Sequence, residues 1–255
     1  TLDRSSAASD VYKRQGYLGS LLAPELLRAG HDVLAVDTGY YKAGWLYHGG
    51  DQTPRTLAKD LRHITAADLE GVDAVVHMAE LSNDPLGQLL PNITYDINHA
   101  GSVRLATLAK AAGVERFVYM SSCSVYGAGG GDVKDETSPV NPQTAYAECK
   151  VMVERDVLPL ADDTFSPVFL RNATAFGASP RMRFDIVLNN LSGLAATRGE
   201  IVMTSDGTPW RPLVHGLDIA RAIMCALDAP REAIHGQTFN VGSNEQNYRV
   251  REIAA

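Results

Sequence analysis

The sequence predicts an α/β fold in which a parallel sheet is covered by helices on both faces. Three observations lead there. Short apolar runs alternate with longer helical patterns, the rhythm of β-α-β units. Two glycines, Gly16 and Gly19, open the first helical pattern. An acid, Asp37, then closes the next apolar run about 20 residues beyond that loop.

Each element has its own justification. Strands are predicted at residues 31–37, 72–78, 116–121 and 167–171, where continuous apolar runs suit a sheet buried on both faces. Helices are predicted at residues 17–29, with Leu18, Leu21, Leu22 and Leu26 on one stripe, and at 97–112, with Val103, Leu105, Leu108 and Ala111. From Ser179 the rhythm changes to a helical stretch at 185–198, a short strand at 200–203 and a turn at Asp206-Gly207. Residues 1–177 are therefore expected to form a nucleotide-binding domain. Residues 178–255 are expected to form a smaller substrate-binding region that partly returns to the first. The ends fit less well. Residues 1–15 offer only Val11-Tyr12 amid Ser, Asp, Lys and Arg, so they are expected to be foreign to the fold and to supply no native central strand. At the other end, the amphipathic pattern beginning at Tyr248 stops at Ala254-Ala255 without a cap or breaker, and truncation is expected.

Composition narrows the function classes. The chain has 255 residues, 45% hydrophobic and 21% charged, with a net charge of −7 and basic residues scattered rather than clustered. That distribution argues against nucleic acid and for small-molecule partners. Three cysteines, Cys123, Cys149 and Cys225, have no zinc-type spacing, so neither a disulfide framework nor a metal is expected. No apolar stretch approaches the roughly 20 residues of a bilayer span and no secretory h-region opens the chain, so a cytoplasmic location without membrane contact is expected.

Gly16-Tyr17-Leu18-Gly19 would let main-chain N–H groups at a helix N-terminus approach a pyrophosphate, although glycines at this spacing also occur in ordinary turns. Asp37 is placed to bond a ribose 2′-hydroxyl and repel a 2′-phosphate, which favours NAD over NADP; the alternative is a strand-ending turn residue. The strongest signal joins Arg116-Phe117-Val118-Tyr119-Met120-Ser121-Ser122-Cys123-Ser124-Val125-Tyr126-Gly127 to Tyr146-Ala147-Glu148-Cys149-Lys150. Hydroxyls at the exit of a parallel strand lie at the carboxyl edge, where doubly wound folds bind ligands. Tyr146 and Lys150, four apart, share a helix face. Bringing a phenol from a pKa near 10 towards neutrality needs about 4 kcal/mol, the scale of one ammonium about 4 Å away at an effective dielectric near 20. Tyr146 is thus a candidate general base, while the same spacing is common on surface helices. His77, ending an apolar strand, reads as a satisfied core histidine, and no cysteine is assigned chemistry.

From Gly16 onward the sequence resembles the extended short-chain dehydrogenase/reductases, in particular the NAD-dependent epimerase/dehydratase branch. The resemblance implies a Rossmann-type doubly wound sheet with a smaller C-terminal lobe, NAD as cofactor, a nucleotide-diphosphate sugar as substrate, and a homodimer. It implies that Tyr146 exchanges a proton with a sugar hydroxyl, that Lys150 holds the nicotinamide ribose, and that Ser122 bonds the reacting oxygen. Asp60-Leu61 would meet the adenine, and main chain at Met78-Ala79 would border the cofactor. Thr174 stands where many relatives carry Asn. Asn190, within Asn189-Asn190-Leu191, would contact the diphosphate, and Arg211 would clamp it through its forked guanidinium, although an arginine there can also be a solvated surface residue. Sugar 4,6-dehydratases of the family carry Thr-Asp-Glu where this chain has Ser122-Cys123-Ser124. Three readings stay open: an epimerase, expected at C4 through a 4-keto intermediate; a reductase, dehydrogenase or dehydratase of the same family; and a non-catalytic NAD-sensing module.

Overall fold

The computed structural model describes residues 8–12, 15–48, 53–82, 87, 89–128 and 132–255. Its main sheet is built from β1 (Ala8–Tyr12), β2 (Asp32–Asp37), β3 (Arg55–Ala58), β4 (Ala74–His77), β5 (Arg116–Ser122), β6 (Ser166–Asn172) and, much later in the chain, Thr238–Val241. All neighbours are parallel, in the order β3-β2-β1-β4-β5-β6 followed by the late strand. The chain winds outward in one direction from β1 to β3 and in the other from β4. The switch point between β1 and β4 leaves a crevice at the carboxyl edge, where ligands of such sheets bind.

Successive strand residues face opposite sides, which gives the sheet two apolar faces. On one, Val33, Val76, Val118 and Val168 pack against Leu22 and Leu26 of α1 (Gly19–Arg28) and Ile219 and Ile223 of the helix Gly216–Asp228. On the other, Val36, Val75, Phe117, Tyr119 and Phe169 meet Leu105 and Ala109 of α2 (Ser102–Ala111) and Val153 and Val157 of α3 (Ala145–Val157). These side chains are almost wholly removed from water, and each burial contributes roughly 1.5–3 kcal/mol before the entropy of ordering is subtracted.

The segment expected to be foreign to the fold nevertheless occupies the central strand position. Ala8–Tyr12 pairs with β2 from Ala8 opposite Asp32 to Tyr12 opposite Val36, and with β4 from Ser9 opposite Ala74 to Tyr12 opposite His77. The reason lies in the main chain. Without a strand there, β2 and β4 would each leave a row of peptide groups unpaired inside the molecule, a larger cost than a polar residue in the run. Lys13, which stands at the resemblance's first loop glycine, lies outside the described residues.

Past β6, a second sheet is formed by β7 (Thr174–Phe176), β8 (Trp210–His215) and β10 (Asn247–Arg249), with β8 central, parallel to β7 and antiparallel to β10; β9 is the late strand Thr238–Val241 that rejoins the main sheet. Between β7 and β8 runs α4 (Val187–Arg198), closed by Gly199 in the left-handed region; α5 is the helix Gly216–Asp228. The strand expected at 200–203 is corrected: the segment has no ladder partner among the described residues, and Ile201, Val202 and Met203 stand exposed. A strand exists only through its neighbours, and here none is in reach. The helix expected from residue 97 is reached through a π-helical turn, Tyr95–Gly101, before α2 begins. That turn directs Asn98 inward, where its amide brackets Leu81 by accepting from N–H and donating to C=O, both at 2.8 Å.

Candidate active site

Four chain segments converge at the switch point and enclose a cleft of about 620 Å³. The loop into α1 contributes Gly16, Tyr17, Leu18 and Gly19; the exit of β4 contributes Met78 and Glu80; the exit of β5 contributes Ser121 and Ser122; and α3 contributes Tyr146 and Lys150. Asn172 and Thr174 close the wall from β6 and β7, and Arg181, Arg183 and Asp185 from the stretch before α4.

Helix α3 starts where Thr144 accepts a hydrogen bond from Ala147 N–H at 3.3 Å. Tyr146 and Lys150 then fall one turn apart on the same face, with Lys150 Nζ 5.2 Å from the Tyr146 ring centre and 4.6 Å from that of Tyr119. At the end of β5, Ser122 accepts from Ser124 N–H at 3.2 Å and is hydrogen-bonded to the Tyr146 phenol. The serine, tyrosine and lysine are thus gathered at one point.

Electrostatics depart from the simple expectation that the lysine draws the tyrosine down. Burial pushes the Tyr146 phenol above its ordinary value; Lys150 pulls it back, while Glu80 adds to the rise. Burial is the largest cause of the rise, and Lys150 does not act against it alone. Its ammonium is ion-paired with Glu80 and donates to Met120 C=O, in a position where the Lys150 and Glu80 side chains are only 3% and 4% exposed. Burial works against the Lys150 charge, but Glu80 and Tyr146 outweigh it and hold its pKa above the usual lysine value. Cys123 and Cys149 are pushed up to about 11 and about 12 by burial, which leaves them as thiols. His77 is a bonded core residue, its Nε2 2.6 Å from Ser102 Oγ.

Six of the expected residues stand outside this wall. Asp37 is buried at the end of β2 and accepts from Gln15 N–H and Gly39 N–H, both at 2.8 Å; two carboxylate oxygens offer about four acceptor sites, so this engagement leaves room for a ribose hydroxyl. Asp60 follows β3 and pairs with Arg62 at 2.9 Å, which holds its carboxyl below the ordinary range, and Leu61 is buried beside Gly101. Ala79 packs against the core. Asn190 donates to Phe184 C=O at 2.8 Å, and Arg211, exposed on β8, donates to Trp210 C=O at 2.9 Å. Conversely, the sequence reading missed Glu80, Asn172 and Arg183. A charged residue three positions past the apolar end of β4 was the available signal for Glu80. For Arg183, whose guanidinium bonds Ser82 and pairs with Asp185 at 2.6 Å, it was a pair of arginines two apart ahead of α4.

The cleft suits a dinucleotide. The first turn of α1 has no side-chain cap, which leaves the positive end of the helix to a pyrophosphate, while Ser20 and Leu21 N–H are taken by the main-chain carbonyls of Gly16 and Leu18. Asn172 Oδ1 is a buried acceptor with no hydrogen-bond partner among the described residues, which fits a ligand bringing an amide N–H, as a nicotinamide does. Among the described residues no cluster could hold a metal ion, and no helix is long and apolar enough to cross a membrane.

A doubly wound parallel sheet with serine, tyrosine and lysine at its carboxyl edge defines a nucleotide-cofactor enzyme of the short-chain dehydrogenase type. The comparisons with known proteins carry this further. Residues 14–242 match the model of the NAD dependent epimerase/dehydratase family, and the chain belongs to that family. It is 30% identical over 251 residues to the UDP-glucose 4-epimerase of Lacticaseibacillus casei, an alignment covering 89% of this chain and 74% of that protein. Among solved structures, MoeE5 in complex with UDP-glucose and NAD superposes with a TM-score of 0.84 at 29% identity, covering 97% of this chain and 79% of the other. TunA, an NAD dependent NDP-hexosamine 5,6-dehydratase, shares the fold at a TM-score of 0.85 and 24% identity, over 96% and 78%. NAD is the cofactor.

Proposed function

We propose that the chain is a nucleotide-sugar epimerase that inverts C4 of a nucleotide-diphosphate hexose through a 4-keto intermediate. The observation that carries this reading is the composition of the cleft wall. It holds Ser122, Tyr146 and Lys150, and among the described residues its carboxylates, Glu80 and Asp185, are both tied into ion pairs with Lys150 and Arg183. Eliminating water across C5 and C6 calls for an additional acid and base, and the strand exit offers Cys123 and Ser124 instead. The UDP-glucose 4-epimerase relatives support the same choice.

In this reading Tyr146 Oη takes the proton of the sugar C4 hydroxyl and later returns it, with Ser122 Oγ bonding the reacting oxygen at both stages. NAD, when bound, would supply the acceptor for the C4 hydride and the source of its return. Lys150 holds the nicotinamide ribose and places its charge beneath the phenol, while Gly16–Gly19 main chain, Asp37, Asp60, Leu61, Met78 and Ala79 hold the remainder of the cofactor. Thr174, Asn190 and Arg211 serve the sugar diphosphate. Once the 4-keto sugar presents its other face, return of the hydride inverts the carbon.

Product analysis tests this. With UDP-glucose or UDP-galactose, each is expected to give the same equilibrium mixture of the two without net consumption of NAD. A 4-keto-6-deoxy product would establish a dehydratase, and stoichiometric reduction or oxidation of added cofactor would establish a reductase or dehydrogenase.

A further inference from the structure

We propose that Glu80 is a positioning residue of this site: it holds the Lys150 ammonium between the exit of β4 and α3, and so sets the pH range in which Tyr146 accepts a proton. The inference rests on reading Tyr146 as the base. Its own support is geometric. Glu80 sits on a segment whose neighbour Leu81 is clamped at both peptide groups by Asn98, so its backbone position is fixed. Its carboxylate meets two elements at once, through the ion pair to Lys150 on α3 and a hydrogen bond from Tyr119 O–H on β5 at 2.5 Å, and the residue lines the cleft.

A carboxylate this deeply buried persists only when paired and hydrogen-bonded, and here both conditions hold. The consequence for the reaction follows from charge. A lone ammonium beside a phenol favours phenolate, whereas an ammonium shared with a carboxylate projects much less net positive charge. The other groups facing the pair do not replace that effect. On α3, Glu154 is bound to Arg171 of β6 at 2.7 Å, and Glu148 to the Tyr95 phenol. Cys149 is a buried thiol. Tyr119 on β5 stays protonated, held well above its usual value by burial and by Glu80. From the stretch before α4, Arg183 faces Tyr146 with its charge balanced by Asp185. Glu80 is therefore the carboxylate that sets the balance at the tyrosine.

The test uses Glu80→Gln and Glu80→Ala in the full chain, with two readouts. The first is the pH profile of kcat/KM. The second is ultraviolet titration of tyrosinate without substrate, with Tyr146→Phe and Tyr119→Phe identifying the signal. Removing the carboxylate is expected to move both the acid limb and the Tyr146 titration to lower pH by about one unit, an approximately tenfold gain in phenolate at a given pH below the limb. A folded Glu80→Gln protein whose titration and limb coincide with the parent's would overturn the proposal. Failure of both variants to fold would also overturn it, in favour of a purely structural pair. If the parent interconverts no nucleotide sugar, the functional reading fails, while the tyrosinate titration still decides the role of Glu80.

Discussion

Tyr146 and Lys150 became readable at the residue scale because a helix returns side chains four apart to one face, and Lys150 Nζ stands 5.2 Å from the Tyr146 ring centre. What the spacing did not disclose is the lysine's partner. Glu80 lies far from Lys150 in the chain, and a single glutamate after a strand is ordinary until the sheet brings it to α3. Asp37 shows the same division: its place at the end of β2 was legible, but not its two bonds from Gln15 and Gly39 N–H. The residue-scale prediction concerns the base itself. Tyr146→Phe keeps the ring and deletes the group that would carry the proton, so turnover is expected to fall by about 10²–10⁴ with the fold intact, the range for lost general acid–base catalysis. Steady-state kinetics on a variant whose circular dichroism matches the parent checks this; a loss below tenfold would remove Tyr146 from the reaction.

At the scale of elements, β6 is tied to its surroundings by more than its ladder. Arg171 donates to Glu154 of α3 through Nε at 3.1 Å and Nη2 at 2.7 Å, and through Nη1 to Tyr126 O–H at 2.9 Å. Tyr126 O–H in turn donates to Asn240 Oδ1 on β9 at 2.7 Å, and Ser121 O–H to Glu154 at 2.5 Å. The Arg171 and Glu154 side chains are 9% and 11% exposed, so deleting one partner strands the other charge. Arg171→Met is expected to destabilise the protein by about 3–5 kcal/mol, read as a lower midpoint in urea unfolding; a change under about 1 kcal/mol would show that water reaches the site. The apolar runs announced β4, β5 and β6, since burial on both faces writes itself into composition. They could not announce this network, which depends on tertiary neighbours, nor the π-helical turn before α2. At 200–203 the apolar letters misled because the segment meets no partner strand.

At the scale of the whole molecule, the sheet order depends on β1, the strand the composition argued against. Side-chain patterning failed there because main-chain pairing decided the outcome. Asp10 occupies the register between Leu34 and Val75, and aspartate is among the residues least suited to a strand, with valine among the best. Asp10→Val is expected to raise stability by about 1 kcal/mol, detected as a higher thermal midpoint; an unchanged or lower midpoint would show that the strand tolerates polarity without cost. The glycine loop has long-range ties of another kind. Tyr17 O–H donates to Gly177 C=O at 2.8 Å, Ser179 O–H donates to Tyr17 C=O at 2.8 Å, and Ser20 and Ser179 hydroxyls stand 2.8 Å apart. Gly177, at φ 108°, lies so close to His215 that a Cβ would come within 2.3 Å of its ring. The loop assigned to the cofactor and the segment after β7, which the proposed function places on the sugar side, are therefore tied together, and heterotropic linkage between their ligands is the expected thermodynamic expression. Occupancy of either place should alter affinity at the other by the same factor, whichever ligand is added first. Ser179→Ala, which cuts two of these bonds, is expected to shrink that factor. Calorimetric titration of nucleotide sugar at saturating and at sub-saturating NAD would measure it, and an unaltered ratio would mean the two ligands communicate by another route.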